Sequence, residues 1–280
     1  MLPLFFSKGQ FIDSLPLTDR SIHYGDGVFE TIAISDNKPE LLSAHLDRLE
    51  QACQCLKIPY AGHQAIVSEI KSLLCLQPQQ RAVLKILISR GSGGRGYNLP
   101  DIVKPSCLLG LYTFPNDIDC FAQKGINVFL CKTRLAYNSS IAGIKHLNRL
   151  EQVLATTEFD SSIYQEGFMF DGNDNLIEGT KSNIFIMRQG VLQTPALSGC
   201  GVEGIMKKLI LGIAQDSGIK TIENTIKLEM LNEADEVFVC NSIIRLWPVT
   251  MINQRSYRIG AITQELAKVI ATKSSYYENF

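Results

Sequence analysis

Val83-Leu-Lys-Ile-Leu-Ile88 is apolar at every position but one, and so short an apolar run bounded by polar residues predicts a buried strand. Similar runs predict strands over 107–112, 126–131, 166–171 and 236–240, and a hairpin joins 184–188 to 191–194 through Gln189-Gly190. Elsewhere the spacing becomes helical. Residues 41–56 place Leu42, His45, Leu46, Leu49, Ala52, Cys53 and Leu56 on one side, with Ser43 as the expected N-cap. Further helices are expected over 64–76, 147–159 (Leu147, Leu150 and Leu154 giving the period), 205–216 with Gly218 as its stop, and 260–272. The first forty residues read as β-rich: a short strand at 11–13, a turn at 16–20, then a glycine turn at Tyr24-Gly-Asp-Gly27 leading into β-prone residues.

This mixture of strands and helices is an α/β (α+β) pattern. Thr113-Phe-Pro-Asn-Asp-Ile-Asp119 mixes proline with polar residues. It suggests a smaller N-terminal domain over 1–112, a linker over 113–120 and a larger C-terminal domain over 121–280 that ends in a frayed tail. The chain has 280 residues, 45% of them hydrophobic and 20% charged, an ordinary globular profile able to bury a sizeable core. A net charge of −1 gives no bulk field to recruit nucleic acid or an anionic membrane, and no apolar run reaches the length of a membrane span. The N-terminus lacks a basic region ahead of its apolar residues, so no signal peptide is expected. The eight cysteines form no CxxC pair, and the four histidines form no metal-binding spacing. Reduced thiols in a cytoplasmic protein without a bound metal are the expectation.

Candidate chemistry comes from a few positions. Lys145, in Ile141-Ala-Gly-Ile-Lys-His146, stands among small and apolar residues. It is either a snorkelling surface lysine or a partly dry amine, and a dry amine is a usable nucleophile. Glu178 enters a polar cluster that ends at Asn183, and reads alone as either a solvated turn residue or a site carboxylate. Gly199-Cys-Gly-Val-Glu-Gly204 precedes the helix at Ile205 and Met206, whose free N–H groups suit an anion. Arg48, flanked by Asp47 and Glu50, reads as a surface ion-pair partner unless its helix faces a site. Arg90-Gly-Ser-Gly-Gly-Arg-Gly-Tyr97 is either a flexible connector or an anion-binding loop, and fits neither nucleotide-loop pattern. Asn241-Ser242 ends a buried strand. An amine, a carboxylate and a phosphate-suited helix end together suggest pyridoxal 5'-phosphate.

With those residues assembled, the chain resembles the class IV aminotransferase-like family of pyridoxal phosphate enzymes, fold type IV, across nearly its whole length. Branched-chain aminotransferases, D-amino acid aminotransferases and 4-amino-4-deoxychorismate lyases belong to it. Ile88-Ser-Arg-Gly-Ser-Gly-Gly-Arg-Gly-Tyr97 and Ala142-Gly-Ile-Lys-His-Leu-Asn-Arg-Leu-Glu-Gln-Val-Leu154 are most similar to the lyase branch; aminotransferases usually differ just after the lysine. The resemblance implies a two-domain, D-amino acid aminotransferase-like fold whose larger domain has a β-barrel-like core, and a homodimer with active sites near the subunit interface. It further implies that Lys145 takes the cofactor aldehyde and shuttles protons, that Glu178 pairs with the pyridine nitrogen, and that Arg48 binds phosphate. Asn183, Ile205, Met206, Ser242 and Ile243 match other cofactor-binding positions. Phe29, Arg95 and Tyr97 match substrate positions, the last two reaching the substrate carboxylate of the neighbouring subunit. Lys207 stands where relatives often have arginine, keeping the charge but losing the fork. Phe29 stands where D-amino acid aminotransferases have tyrosine. The implied reaction is conversion of 4-amino-4-deoxychorismate to 4-aminobenzoate and pyruvate, with D-amino acid or branched-chain aminotransfer as the alternative.

Overall fold

The computed structural model describes residues 2–272, so the tail expected to fray lies outside the described residues. The chain forms two compact units. Among the described residues, one contains those up to Phe114 together with Ile144–Asn148; the other contains Pro115–Gly143 and residues 149–272. The Lys145 segment, expected in the second domain, therefore folds with the first. The expected linker 113–120 instead supplies the last residue of one strand and the start of a helix.

In the first unit the elements are β1 (Leu4–Ser7), β2 (Gln10–Phe11), α1 (Arg20–Tyr24), β3 (Gly27–Ser35), β4 (Lys38–Pro39), α2 (Leu42–Cys55), α3 (His63–Leu76), β5 (Arg81–Ser89) and β6 (Ser106–Thr113). They build a six-stranded sheet in the order β2-β1-β6-β5-β3-β4, antiparallel throughout. Side chains alternate across a strand, so β3 sends Val28, Glu30, Ile32 and Ile34 to one face. There the apolar three join Leu84, Ile86 and Ile88 of β5, Leu46 and Leu49 of α2, and Ile66, Ile70 and Leu73 of α3 in one buried core. Each such side chain contributes about 1.5–3 kcal/mol by leaving water. The other face presents Phe29, Thr31, Lys85 and Leu87, all half-buried.

Local chemistry moved some boundaries. The short helix α1 lies between the two expected turns: Asp19 accepts the Ser21 N–H at 2.9 Å as its N-cap, and Gly25, at φ 60°, closes its end. Helix α2 starts from Leu41 in the left-handed conformation with no side-chain cap, and Ser43 already lies inside it.

The second unit contains α4 (Ile118–Lys124), β7 (Ile126–Leu135), α5 (Leu150–Thr156), β8 (Glu166–Asp171), β9 (Leu176–Gly179), β10 (Asn183–Arg188), β11 (Val191–Pro195), α6 (Ile205–Asp216), β12 (Thr221–Asn224), α7 (Leu228–Asn232), β13 (Glu236–Asn241), β14 (Arg245–Ile252), β15 (Arg255–Ser256) and α8 (Ala261–Thr272). Its nine-stranded sheet runs β12-β11-β10-β13-β14-β7-β8-β9, with β15 paired to β14. The sheet curls until β9 lies beside β10 and β11, which gives the barrel-like core. Phe185 and Phe238, opposite one another on β10 and β13, stack at 5.0 Å inside it. The mixed α/β architecture is that of fold type IV.

Helix α5 differs from expectation in what its apolar residues meet. It begins at Leu150, and Leu150, Val153 and Leu154 are 69%, 57% and 50% exposed while Gln152 and Ala155 turn inward. Periodicity identifies a stripe, not the surface it covers. All eight cysteines are free thiols, and burial pushes Cys53, Cys107 and Cys131 up to about 12.

Candidate active site

Lys145 lies in a loop held against the start of β3 by backbone bonds. Phe29 N–H donates to Lys145 O at 2.9 Å, and Leu147 N–H donates to Gly27 O at 3.0 Å. Glycine is required at 27, because a Cβ there would stand 2.4 Å from Ile88 O and 2.8 Å from the Leu147 side chain. The tight glycine turn read from the sequence thus admits the lysine segment. Lys145 is half-buried, and its Nζ sits 4.2 Å from the centroid of the Phe29 ring. Lys85 Nζ lies 5.0 Å from the same ring, and burial lowers its amine below the usual lysine range. Among the described residues Lys85 pairs with no carboxylate. Two ammonium groups within 5.0 Å of one aromatic ring concentrate positive charge that suits an anionic group.

On the opposite face of the sheet Glu30 is a carboxylate in the apolar core. Arg48 donates Nε to Oε1 at 2.7 Å and Nη2 to Oε2 at 2.5 Å, and His45 Nδ1 lies 2.6 Å from Oε2. Arg48, which its local sequence suggested as a surface ion-pair partner, is half of a buried bidentate pair across to β3. His45 Nε2 is buried and has no hydrogen-bond partner.

In the second unit Glu178 is buried on β9, not solvated in a turn. Val202 N–H donates to Oε2 at 2.7 Å, and Gln152 Nε2 approaches Oε1 at 3.4 Å. Both side-chain oxygens therefore face hydrogen-bond donors. The next turn is shaped by buried Glu166, which takes Thr180 N–H at 2.9 Å and Ser182 Oγ at 2.7 Å. Asn183 donates its side-chain amide to Val202 O at 2.9 Å and so holds the turn that opens helix α6. Gly204 caps α6 without a side chain, leaving the N–H groups of Ile205 and Met206 in the first turn. At the end of β13, Asn241 Oδ1 accepts Ile243 N–H at 2.8 Å and Ile244 N–H at 2.9 Å, a closed turn beside Ser242.

The sequence matches the amino-transferase class IV family over residues 27–252, most of the chain. The chain belongs to that family. Among its relatives, an aminodeoxychorismate lyase of Vibrio harveyi is 33% identical, covering 94% of this chain and 98% of that one. A putative branched-chain-amino-acid aminotransferase of Methanocaldococcus jannaschii is 28% identical, covering 93% of each chain. The solved 4-amino-4-deoxychorismate lyase from Pseudomonas aeruginosa superimposes with a TM-score of 0.92 at 35% identity, covering 98% of this chain and 100% of that one.

Within this class IV chain, the first unit holds Lys145, Phe29, Arg48, Arg95 and Tyr97, and the second holds Glu178, Asn183, Ile205, Met206, Ser242 and Ile243. Arg95 and Tyr97 are exposed, Tyr97 at 87%, and neither lies against the Lys145–Phe29 pair of its own chain by any ring or ion contact among the described residues. Lys207 turns into the unit: its Nζ meets Glu223 at 2.6 Å, Glu203 at 3.0 Å and Pro195 O at 3.4 Å, so three acceptors match its three donors.

Sequence reasoning missed Lys85, Glu30, His45 and Gln152. Lys85 carried a signal, as the one charge in the apolar run of β5. Glu30 carried a fainter one, at an inward position of an alternating strand.

The Glu30 cluster has a pH consequence. Burial raises its carboxyl, but Arg48 and His45 outweigh burial and hold it at about 2, below its usual 4.5. A depressed folded-state pKa contributes stability that is present above 4.5 and is lost as pH falls toward 2. Burial likewise lowers His45 below its ordinary 6.5, against the pull of Glu30, so its stabilisation also fades as pH falls. Thermal melts are therefore expected to weaken from about pH 6 downward. Glu30→Gln with His45→Asn should lower stability at pH 7 and flatten that slope; a double variant with the wild-type slope would contradict the assignment.

Proposed function

We propose that the protein is a pyridoxal 5'-phosphate-dependent lyase that converts 4-amino-4-deoxychorismate to 4-aminobenzoate and pyruvate, a step toward folate. The observation that carries this reading is the half-buried Lys145 amine on the Phe29 ring with Lys85, which pairs with no carboxylate among the described residues, at the same ring. That pairing suits an amine substrate bearing two carboxylates, and the lyase relatives support it. The residues fit the cofactor: a carboxylate with both oxygens satisfied suits a protonated pyridine nitrogen, and the uncapped first turn of α6 suits a phosphate. Gln152 Oε1, buried without a partner beside Glu178, offers a further polar contact.

Pyridoxal 5'-phosphate, when bound, supplies an aldehyde for an amine and a ring that accepts the electron pair of a broken C–H bond. Lys145 would hold that aldehyde between turnovers. During turnover its Nζ removes the proton from the carbon bearing the amino group, and the C–O bond to the enolpyruvyl group on the neighbouring carbon breaks. Lys145 then returns that proton to the departing three-carbon fragment, which becomes pyruvate, while the six-membered ring becomes aromatic. Glu178 would pair with the pyridine nitrogen and favour its protonated form. In the second unit Ile205, Met206 and Ser242 would hold phosphate, and Asn183 keeps the α6 turn in shape; in the first unit Arg48, whose orientation Glu30 sets, is a further candidate phosphate ligand. Phe29 and Lys85 face substrate, Lys85 toward a carboxylate.

The protein acts as a cytoplasmic homodimer, with Arg95 and Tyr97 serving the neighbouring subunit's substrate. The exposed Leu17, Ile22, Tyr97 and Ile102 in one unit, and Leu150, Val153 and Leu154 in the other, support burial by a second copy. Among the described residues no helix is long and apolar enough to cross a membrane.

Purified protein given fresh aminodeoxychorismate and no 2-oxo acid should release 4-aminobenzoate and pyruvate in equal amounts over many turnovers, with the active species sedimenting as a dimer of 31.1 kDa chains. Activity that appears only when a 2-oxo acid is supplied would make the protein an aminotransferase instead, and an active monomer would remove the role of Arg95 across an interface.

A further inference from the structure

Arg20 is buried at the start of α1, on the segment read from sequence only as a turn. Its Nε donates to Asp26 at 2.8 Å, and its Nη1 faces three carbonyls of the glycine loop: Gly93 and Asn98 at 3.3 Å and Gly96 at 3.4 Å. Its backbone N–H donates to Gly91 O at 3.0 Å, its guanidinium lies 4.8 Å from the Tyr24 ring, and Tyr24 packs on Tyr97 at 5.6 Å. Asp26 is shared. Arg90 donates to it at 2.8 and 3.0 Å and directs two further donors to Leu56 O and Lys57 O, away from the loop.

One carboxylate between two buried guanidinium groups leaves one positive charge to be solvated by backbone carbonyls. For Arg20 those carbonyls belong to the loop. The rest of the loop is tied mainly at its ends, by Gly91 N–H donating to Ser89 Oγ at 3.0 Å, Thr18 Oγ1 donating to Ser92 Oγ at 3.0 Å and Asn98 N–H donating to Arg95 O at 3.2 Å, while its four glycines are each costly to fix and the side chains of Arg95 and Tyr97 are exposed. Gly94, at φ 78°, could carry no side chain, since a Cβ there would lie 2.2 Å from Asn98 O and 3.1 Å from Arg20 Nη1. Convergence of the three carbonyls on one point is unfavourable unless a cation sits there.

We propose that Arg20 is the positioning residue of this loop, fixing the curvature of residues 91–98 that sets Arg95 and Tyr97 for substrate. The proposal rests on the reading of Arg95 and Tyr97 as carboxylate contacts, and its test separates the two. Lysine at 20 keeps a charge beside Asp26 but loses the fork that reaches the loop.

The experiment compares Arg20→Lys, Arg20→Met, Arg90→Lys and Arg95→Ala holoenzymes by amide hydrogen exchange of peptides covering 91–99 and α2, and by KM and kcat for aminodeoxychorismate. Both Arg20 variants should exchange the loop about tenfold faster with α2 unchanged, and raise KM about tenfold with kcat within about twofold. Arg90→Lys should leave loop exchange at the wild-type rate. Unchanged loop exchange in the Arg20 variants would overturn the proposal, as would equal loosening by Arg90→Lys, which would mean general destabilisation. A loosened loop with unchanged KM, in both the Arg20 variants and Arg95→Ala, would uphold Arg20 as the loop's tie and overturn the carboxylate role of the loop.

Discussion

Lys145→Ala is expected to remove at least about a thousandfold of the turnover, because in the proposed reaction one amine would serve both as the holder of the cofactor aldehyde and as the base. The fold should survive, since the bond that docks this segment runs from Phe29 N–H to the Lys145 backbone carbonyl and is indifferent to the side chain. Borohydride treatment followed by digestion should leave the cofactor covalently on the peptide containing residue 145 in the wild type and nowhere in the variant. Methylamine added to the variant should restore some turnover if a proton-carrying amine is what was lost. A label that persists at another lysine would reassign the holder, and Lys85, at 5.0 Å from the same ring, is the first place to look.

Glu178→Gln is expected to retain cofactor and lose about a hundredfold to a thousandfold in turnover, the range for removing one preorganised electrostatic partner. The substitution is nearly isosteric, and its amide oxygen can keep the Val202 N–H. Its amide nitrogen would then face Gln152, whose side chain can turn to present the Oε1 that otherwise lacks a partner. The local fold is therefore retained and the change isolates the charge. Cofactor stoichiometry and kcat, measured together, read the result. A variant with full turnover would take the pyridine role away from Glu178, whereas loss of cofactor and turnover together would mean that Glu178 anchors the cofactor.

Much of the fold was legible because strands in a largely buried sheet are continuous apolar runs. The strand over 166–171 and the helix over 205–216 were readable to the residue, each bounded by turn or cap chemistry in the sequence. Less visible were elements whose reason is local and polar: α1 depends on one Asp19 cap, and β9 carries a carboxylate that reads as a turn until its buried partners are known. Helix α5 failed in a more instructive way. Its leucine stripe is real, but it faces away from its own unit, and the inward position belongs to Gln152.

By itself the sequence determined the alternation of strands and helices, a candidate lysine in a small-residue setting, the glycine loop with its arginines, and the family to which these motifs belong. These are properties of short segments, set by periodicity, turn chemistry and spacing. Only the tertiary structure decided which groups meet: Arg48 with Glu30 across two elements, Lys85 beside Lys145 on one ring, Gln152 at Glu178, and Arg20 beneath the glycine loop. In each case the partners are far apart in sequence, and a charge in the interior is tolerated only where the fold supplies its counter-charge or its hydrogen bonds.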